Sequence, residues 1–81
     1  MIIHIGNNNY VFKEDIVAIL DKKSTESTKD SISFINKLIE DNCIIGDINQ
    51  YTKTYIIASE DNKTMLYTSN ISSKALLNRS I

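Results

Sequence analysis

Proline and tryptophan are absent from this sequence, and glycine, histidine and cysteine are nearly so: two glycines, one histidine and one cysteine in 81 residues. Cys43 alone cannot form an intrachain disulfide, and with His4 as the sole histidine there is no Cys/His framework for zinc. Gly6 and Gly46 stand far apart, so no glycine-rich phosphate loop exists and the common nucleotide-binding enzymes are excluded. No apolar run approaches the roughly 18 residues of a membrane span, so no membrane partner is expected. The apolar start stops at Gly6 and has no basic leader, which argues against a signal peptide. A lone thiol without an export signal suggests the cytoplasm. An excess of one charge is missing too. Nine Lys+Arg against ten Asp+Glu give a formal net charge of −1, so nothing attracts a polyanion globally.

The chain has 42% hydrophobic residues and a mean hydropathy of −0.17, as a folded chain should. Its length suits one domain spanning residues 1–81, since domains usually run to about 100–150 residues. A chain this short buries only about 60–65% of its unfolded surface. Without disulfide or metal, self-association into a homo-oligomer is the expected reinforcement.

Residues 2–5 alternate as a strand does, Gly6-Asn7-Asn8-Asn9 reads as a turn, and Tyr10-Val11-Phe12 resumes an extended pattern, which together predict a hairpin. After a polar break at Lys13-Glu14-Asp15, the run Ile16-Val17-Ala18-Ile19-Leu20 predicts a buried strand. Residues 21–28 are entirely polar and read as a loop. Ser27 followed by Asp30 resembles a capping box. Beyond it Ile32, Ile35, Leu38 and Ile39, widened by Phe34, form the stripe of an amphipathic helix of about 12–14 residues that Asn42 terminates. Cys43-Ile44-Ile45 suggests a short strand before a Gly46-Asp47 turn. Residues 49–53 are polar and exposed. Residues 54–58 and 64–68 form a hairpin about a turn at Glu60-Asp61-Asn62-Lys63. Ser69, Asn70 and Ser72 offer caps for a last helix of about ten residues carrying Ala75, Leu76 and Leu77. The fold class is α+β: a small antiparallel-rich sheet with one central amphipathic helix and a short C-terminal helix.

No catalytic constellation is visible. His4 lies mid-strand without a partner, Cys43 has only His4 as a conceivable base, and Asp15, Asp21, Asp30, Asp41 and Asp47 lack the spacing of a calcium loop. The chain reads as no enzyme, with no catalytic residue, metal or cofactor expected, and the residues leave a small-molecule ligand open. Tyr51 beside Thr52-Lys53 is more suggestive, since an aromatic and a cation on one polar loop can meet a base and a phosphate. Lys22-Lys23 is diluted by Asp21 and Glu26. Arg79, the sole arginine, suits the C-terminal end of the last helix, where a cation meets the helix dipole.

Four strings taken together carry a resemblance: Met1-Ile2-Ile3-His4-Ile5-Gly6, Asp15-Ile16-Val17-Ala18-Ile19-Leu20-Asp21, Lys53-Thr54-Tyr55-Ile56-Ile57 and Ile71-Ser72-Ser73-Lys74-Ala75-Leu76. The chain resembles the RemA/RemB-type extracellular matrix regulatory proteins over nearly its full length, and its opening and Asp-Ile-Val stretch resemble the RemB branch more. The resemblance implies transcriptional regulation of biofilm matrix genes by a ring-shaped oligomer on double-stranded DNA. The RemA branch carries an arginine pair in the loop before the penultimate strand; the matching positions here are Gln50 and Tyr51, and only Lys53 keeps a basic charge in that loop. Asp15 replaces a further arginine of that branch, and Arg79 matches a terminal one.

Two readings follow. In the first, the oligomer associates with DNA through Lys53 on phosphate, Tyr51 or Asn49 on sugar or base, and Lys22, Lys23 and Arg79 in support. In the second, it is an interaction or scaffold module without DNA affinity. Clustering of Lys53 with Lys22 and Lys23 favours the first; dispersal of these lysines among Asp and Glu favours the second.

Overall fold

The computed structural model describes residues 1–79. Asn7 and Asn8 adopt left-handed backbone (φ 54° and 62°), which asparagine tolerates, and as a two-residue loop they fold β1 (Ile2–Gly6) onto β2 (Asn9–Phe12). Ile3, Ile5 and Val11 point inward, while Ile2, His4, Tyr10 and Phe12 form an exposed outer face. A 3₁₀ turn over Lys13–Asp15 leads into β3 (Ile16–Asp21).

The strand over residues 16–20 is present but is not buried. β3 lies at an edge of a four-stranded sheet ordered β3-β5-β6-β4, with Val17 at a bulge and 66% exposed. A continuous apolar run signals a strand flanked and covered on all sides, whereas here, among the described residues, the second edge of β3 has no partner strand.

Residues 21–28 are likewise not all loop. Asp21 ends β3, and Lys22–Thr25 forms one helical turn, α1. Thr25 is buried and donates its hydroxyl to the Lys22 carbonyl at 2.7 Å, and Lys22 pairs with Glu26 at 2.9 Å. These i,i+3 and i,i+4 contacts make a turn of helix from a polar segment.

The long helix α2 (Lys29–Glu40) starts one residue later than Ser27 suggests. Thr28 is its cap, accepting from the Ser31 N–H at 3.2 Å, while the Ser27 hydroxyl bonds back to the Ser24 carbonyl at 2.6 Å. Ile35 and Leu38 are buried, but Ile32 and Phe34 stay about half exposed. Asn42 terminates the helix in left-handed conformation (φ 57°), with Cys43 N–H on the Leu38 carbonyl and Asn42 N–H on that of Ile39. This is a Schellman ending with asparagine in the place glycine usually takes.

β4 (Ile44–Ile45) pairs parallel with β6 (Lys63–Ser69), and β6 pairs antiparallel with β5 (Thr54–Glu60) about the left-handed pair Asp61 and Asn62. The closing helix α3 (Ser73–Arg79) is capped by Ser72, whose Oγ accepts from Ala75 N–H at 3.3 Å. The expected length of about ten residues runs past the described ones.

Alternation along β5 divides the core in two. Ile56 and Ala58 face the hairpin and α3, packing with Ile3, Ile5, Val11, Tyr67 and Leu76. Tyr55 and Ile57 face α2, packing with Ile35, Leu38, Cys43 and Leu66. The fold is therefore α+β, its antiparallel-rich strands split between a two-stranded and a four-stranded sheet.

Candidate nucleic-acid interface

Three polar loops meet at one end of the fold: the hairpin turn after β1, residues 47–53, and the link from β6 to α3. The middle loop is braced by its own side chains. Asn49 Oδ1 accepts from the Tyr51 N–H at 2.8 Å, an Asx turn that throws the Tyr51 ring outward to 68% exposure. Thr52 Oγ1 accepts from the Asn49 N–H at 3.1 Å and donates to the Asp47 carbonyl at 3.2 Å.

Lys53 follows, and its backbone is the junction of the site. Its N–H bonds to the Ser69 carbonyl at 2.8 Å, and its own carbonyl accepts from the Lys22 N–H at 2.9 Å. The start of α1 is thereby docked onto the start of β5. Lys22, Lys23 and Lys53 line one groove of about 470 Å³, with Gln50, Thr52 and Ser72 as neutral polar neighbours. Asp21 and Glu26 line it as well. The hydrogen bond that Lys22 donates to the Glu26 carboxylate holds its ammonium above the ordinary range and ties up that cation. Among the described residues Lys23 and Lys53 carry no ion pair, so they are the open charges of the groove.

Asn49 and Tyr51 lie next door, in a polar recess of about 160 Å³ that shares Thr52 with the groove. Asn7 and Asn70 complete the recess. Both come from distant loops, and in the sequence they read as a turn residue and a helix cap, so nothing local marks them. Gly6 packs against the Asn70 carboxamide. It sits at φ +89°, and a Cβ there would stand 2.4 Å from Asn70 Oδ1.

Arg79 lines neither the groove nor the recess. Its guanidinium donates to the His4 carbonyl at 2.9 Å, fastening the end of α3 to β1. His4 lies on the outer face of the hairpin, its ring 4.9 Å from that of Tyr10. Cys43 is buried on the opposite, α2 side of the four-stranded sheet, its thiol on the Asp41 carbonyl at 3.6 Å. The sheet thus separates the thiol from the only imidazole.

The model of the RemA-like family, described as extracellular matrix regulatory protein A-like, matches residues 2–79. The chain belongs to that family. The match does not separate the RemA branch from the RemB branch, and no curated protein matches the chain. The RemA-like description is regulatory rather than enzymatic and points to a role in matrix regulation. Among the described residues of this RemA-like chain, no helix is long and apolar enough to cross a membrane.

Proposed function

We propose that the protein is a non-enzymatic regulator of matrix genes that associates with double-stranded DNA as a ring-type homo-oligomer. The observation that carries the DNA part is the groove in which Lys22, Lys23 and Lys53 come together. Lys23 and Lys53 would hold phosphate, with Tyr51 and Asn49 at the adjoining sugar or base. Each subunit supplies few open cations, so affinity depends on several subunits touching one duplex. Arg79, occupied by the His4 carbonyl, contributes little to that contact.

The ring is what family resemblance implies, and the surface supports self-association. β3 presents an apolar edge strand without inward charges or proline, and such edges invite pairing. Ile2, Tyr10 and Phe12 on the outer hairpin face are each more than half exposed. Further exposed apolar groups, Ile32 and Phe34, lie on α2 across the sheet. Sticky faces on opposite sides suit a head-to-tail contact that closes into a ring.

A second reading, an interaction module without DNA affinity, draws on Asp21 and Glu26 in the same groove. Two measurements separate the readings. Light scattering should report a multiple of 9.2 kDa; a bare monomer at micromolar concentration defeats the assembly. Fluorescence anisotropy with duplex DNA should show binding that falls steeply with salt, from dissociation constants of about 10⁻⁴–10⁻⁶ M before avidity. Lys53→Glu should abolish it, because every subunit changes at once, whereas Arg79→Gln should do much less. An assembled particle that binds no duplex at about 50 mM salt leaves the module reading in possession.

A further inference from the structure

We infer that the recess formed by Asn7, Asn49 and Asn70 reads adenine in the major groove, giving the protein a preference for A·T-rich duplex over G·C-rich duplex. The inference rests on the DNA reading above and concerns the side of the site that the lysines do not fill.

A carboxamide presents one acceptor and an N–H donor side by side. Adenine presents the complement in the major groove, an N6–H donor beside the N7 acceptor. Guanine presents two acceptors there, N7 and O6, which call for a cation with two donors, most often arginine. The recess has carboxamides and no guanidinium, since the only arginine of the chain is fastened to the His4 carbonyl.

The three asparagines are not equivalent. Asn49 Oδ1 already accepts from the Tyr51 N–H, which ties its carboxamide to its own loop, so Asn49 serves as a positioning residue. Asn7 and Asn70 are exposed, and among the described residues neither carboxamide has a hydrogen-bond partner. They are the two readers. Asn7 opens the left-handed pair of the hairpin turn, and Asn70 lies against Gly6, where an added Cβ would make its carboxamide shift. Thr52 lines both the recess and the lysine groove, so base edge and phosphate would be met in one approach.

The test is anisotropy with two duplexes of equal length, one A·T and one G·C, at one low salt concentration. The parent should bind the A·T duplex on the order of tenfold tighter or more. The second protein is the double variant Asn7→Gly with Asn70→Ala. Glycine at position 7 keeps the left-handed backbone while removing the carboxamide. This variant should bind both duplexes equally, at the level the parent shows with G·C, and that residual binding demonstrates an intact fold and lysine groove. Equal binding of both duplexes by the parent, or a G·C preference, overturns the inference and leaves DNA association standing. An A·T preference that survives in the double variant also overturns it, since groove shape rather than asparagine would then be read. No binding of either duplex by the parent sinks the DNA reading and this inference together.

Discussion

The two faces of the four-stranded sheet are closed by different means. On the hairpin face, hydroxyls pin segments remote in sequence. The buried Ser69 Oγ donates to the Ile5 carbonyl at 2.6 Å across 64 residues and accepts from the Ile71 N–H at 3.0 Å, and Thr54 Oγ1 donates to the Ile71 carbonyl at 2.7 Å. On the helix face, α2 runs directly into β4 through its Schellman ending, and closure is by apolar contact. There Thr68 Oγ1 is buried and has no hydrogen-bond partner among the described residues. The contrast is one of distance along the chain. A local connection seals its face by packing, while joining ends that lie far apart takes specific polar contacts as well. The loops of the candidate interface hang from the pinned face.

Large truncations should hit both faces alike. Leu66→Ala on the helix face and Leu76→Ala on the hairpin face, both residues almost fully buried, should each cost about 2–5 kcal/mol in denaturant unfolding. A much smaller loss on one face would mean that its core relaxes, and the division into two comparable cores would fall. Gly46→Ala tests the helix face at its tightest point. The glycine sits at φ +101° with its would-be Cβ 2.3 Å from Thr68 Oγ1, so strain of about 1–3 kcal/mol and overpacking of similar size should add.

Removing a pin should matter next. Ser69→Ala strands a buried carbonyl and an N–H, at about 1–3 kcal/mol, and should also weaken duplex binding because Asn70 and Lys53 flank it. Thr68→Val should go the other way, gaining up to about 1 kcal/mol by deleting an unpaired buried hydroxyl. Destabilisation by Thr68→Val in thermal melts would show that this hydroxyl does have a partner.

The smallest effect is confined to alkaline solution. Burial, helped by the hydrogen bond to Glu60, pushes the Tyr67 phenol up to about 12. Because the folded value exceeds the unfolded one of about 10, the contribution is complete below pH about 10 and disappears as pH rises through about 12. Tyr67→Phe should remove that part of the alkaline loss while leaving the neutral-pH slope unchanged, and an unchanged alkaline profile would refute the assignment.

Most of the secondary structure was legible in the residues because its causes are local. Asn7-Asn8 and Asp61-Asn62 tolerate left-handed backbone, and Ile35 and Leu38 recur at helical spacing. The cap slipped by one residue because Ser27 and Thr28 are both competent and only backbone geometry chooses between them. The turn of α1 stayed hidden because its determinants are one buried threonine hydroxyl and one ion pair, which a polar stretch does not advertise. Of the candidate contacts, Lys22, Lys23 and Lys53 do share a groove, Asn49 and Tyr51 border it, and Arg79 points elsewhere.

The sequence alone determined that these strands, hairpins and the long helix form, and that the chain carries no zinc framework or glycine-rich phosphate loop, since each depends on residue type within a few positions. The tertiary structure decided that β3 lies at an edge, because periodicity reports which faces are apolar and not how many neighbours a strand has. It also decided that Lys53 meets Lys22 and Lys23, and that Asn7 meets Asn70. Those meetings follow from strand order and from two long-range hydrogen bonds, Lys22 to Lys53 and Ser69 to Ile5, which no spacing along the chain encodes.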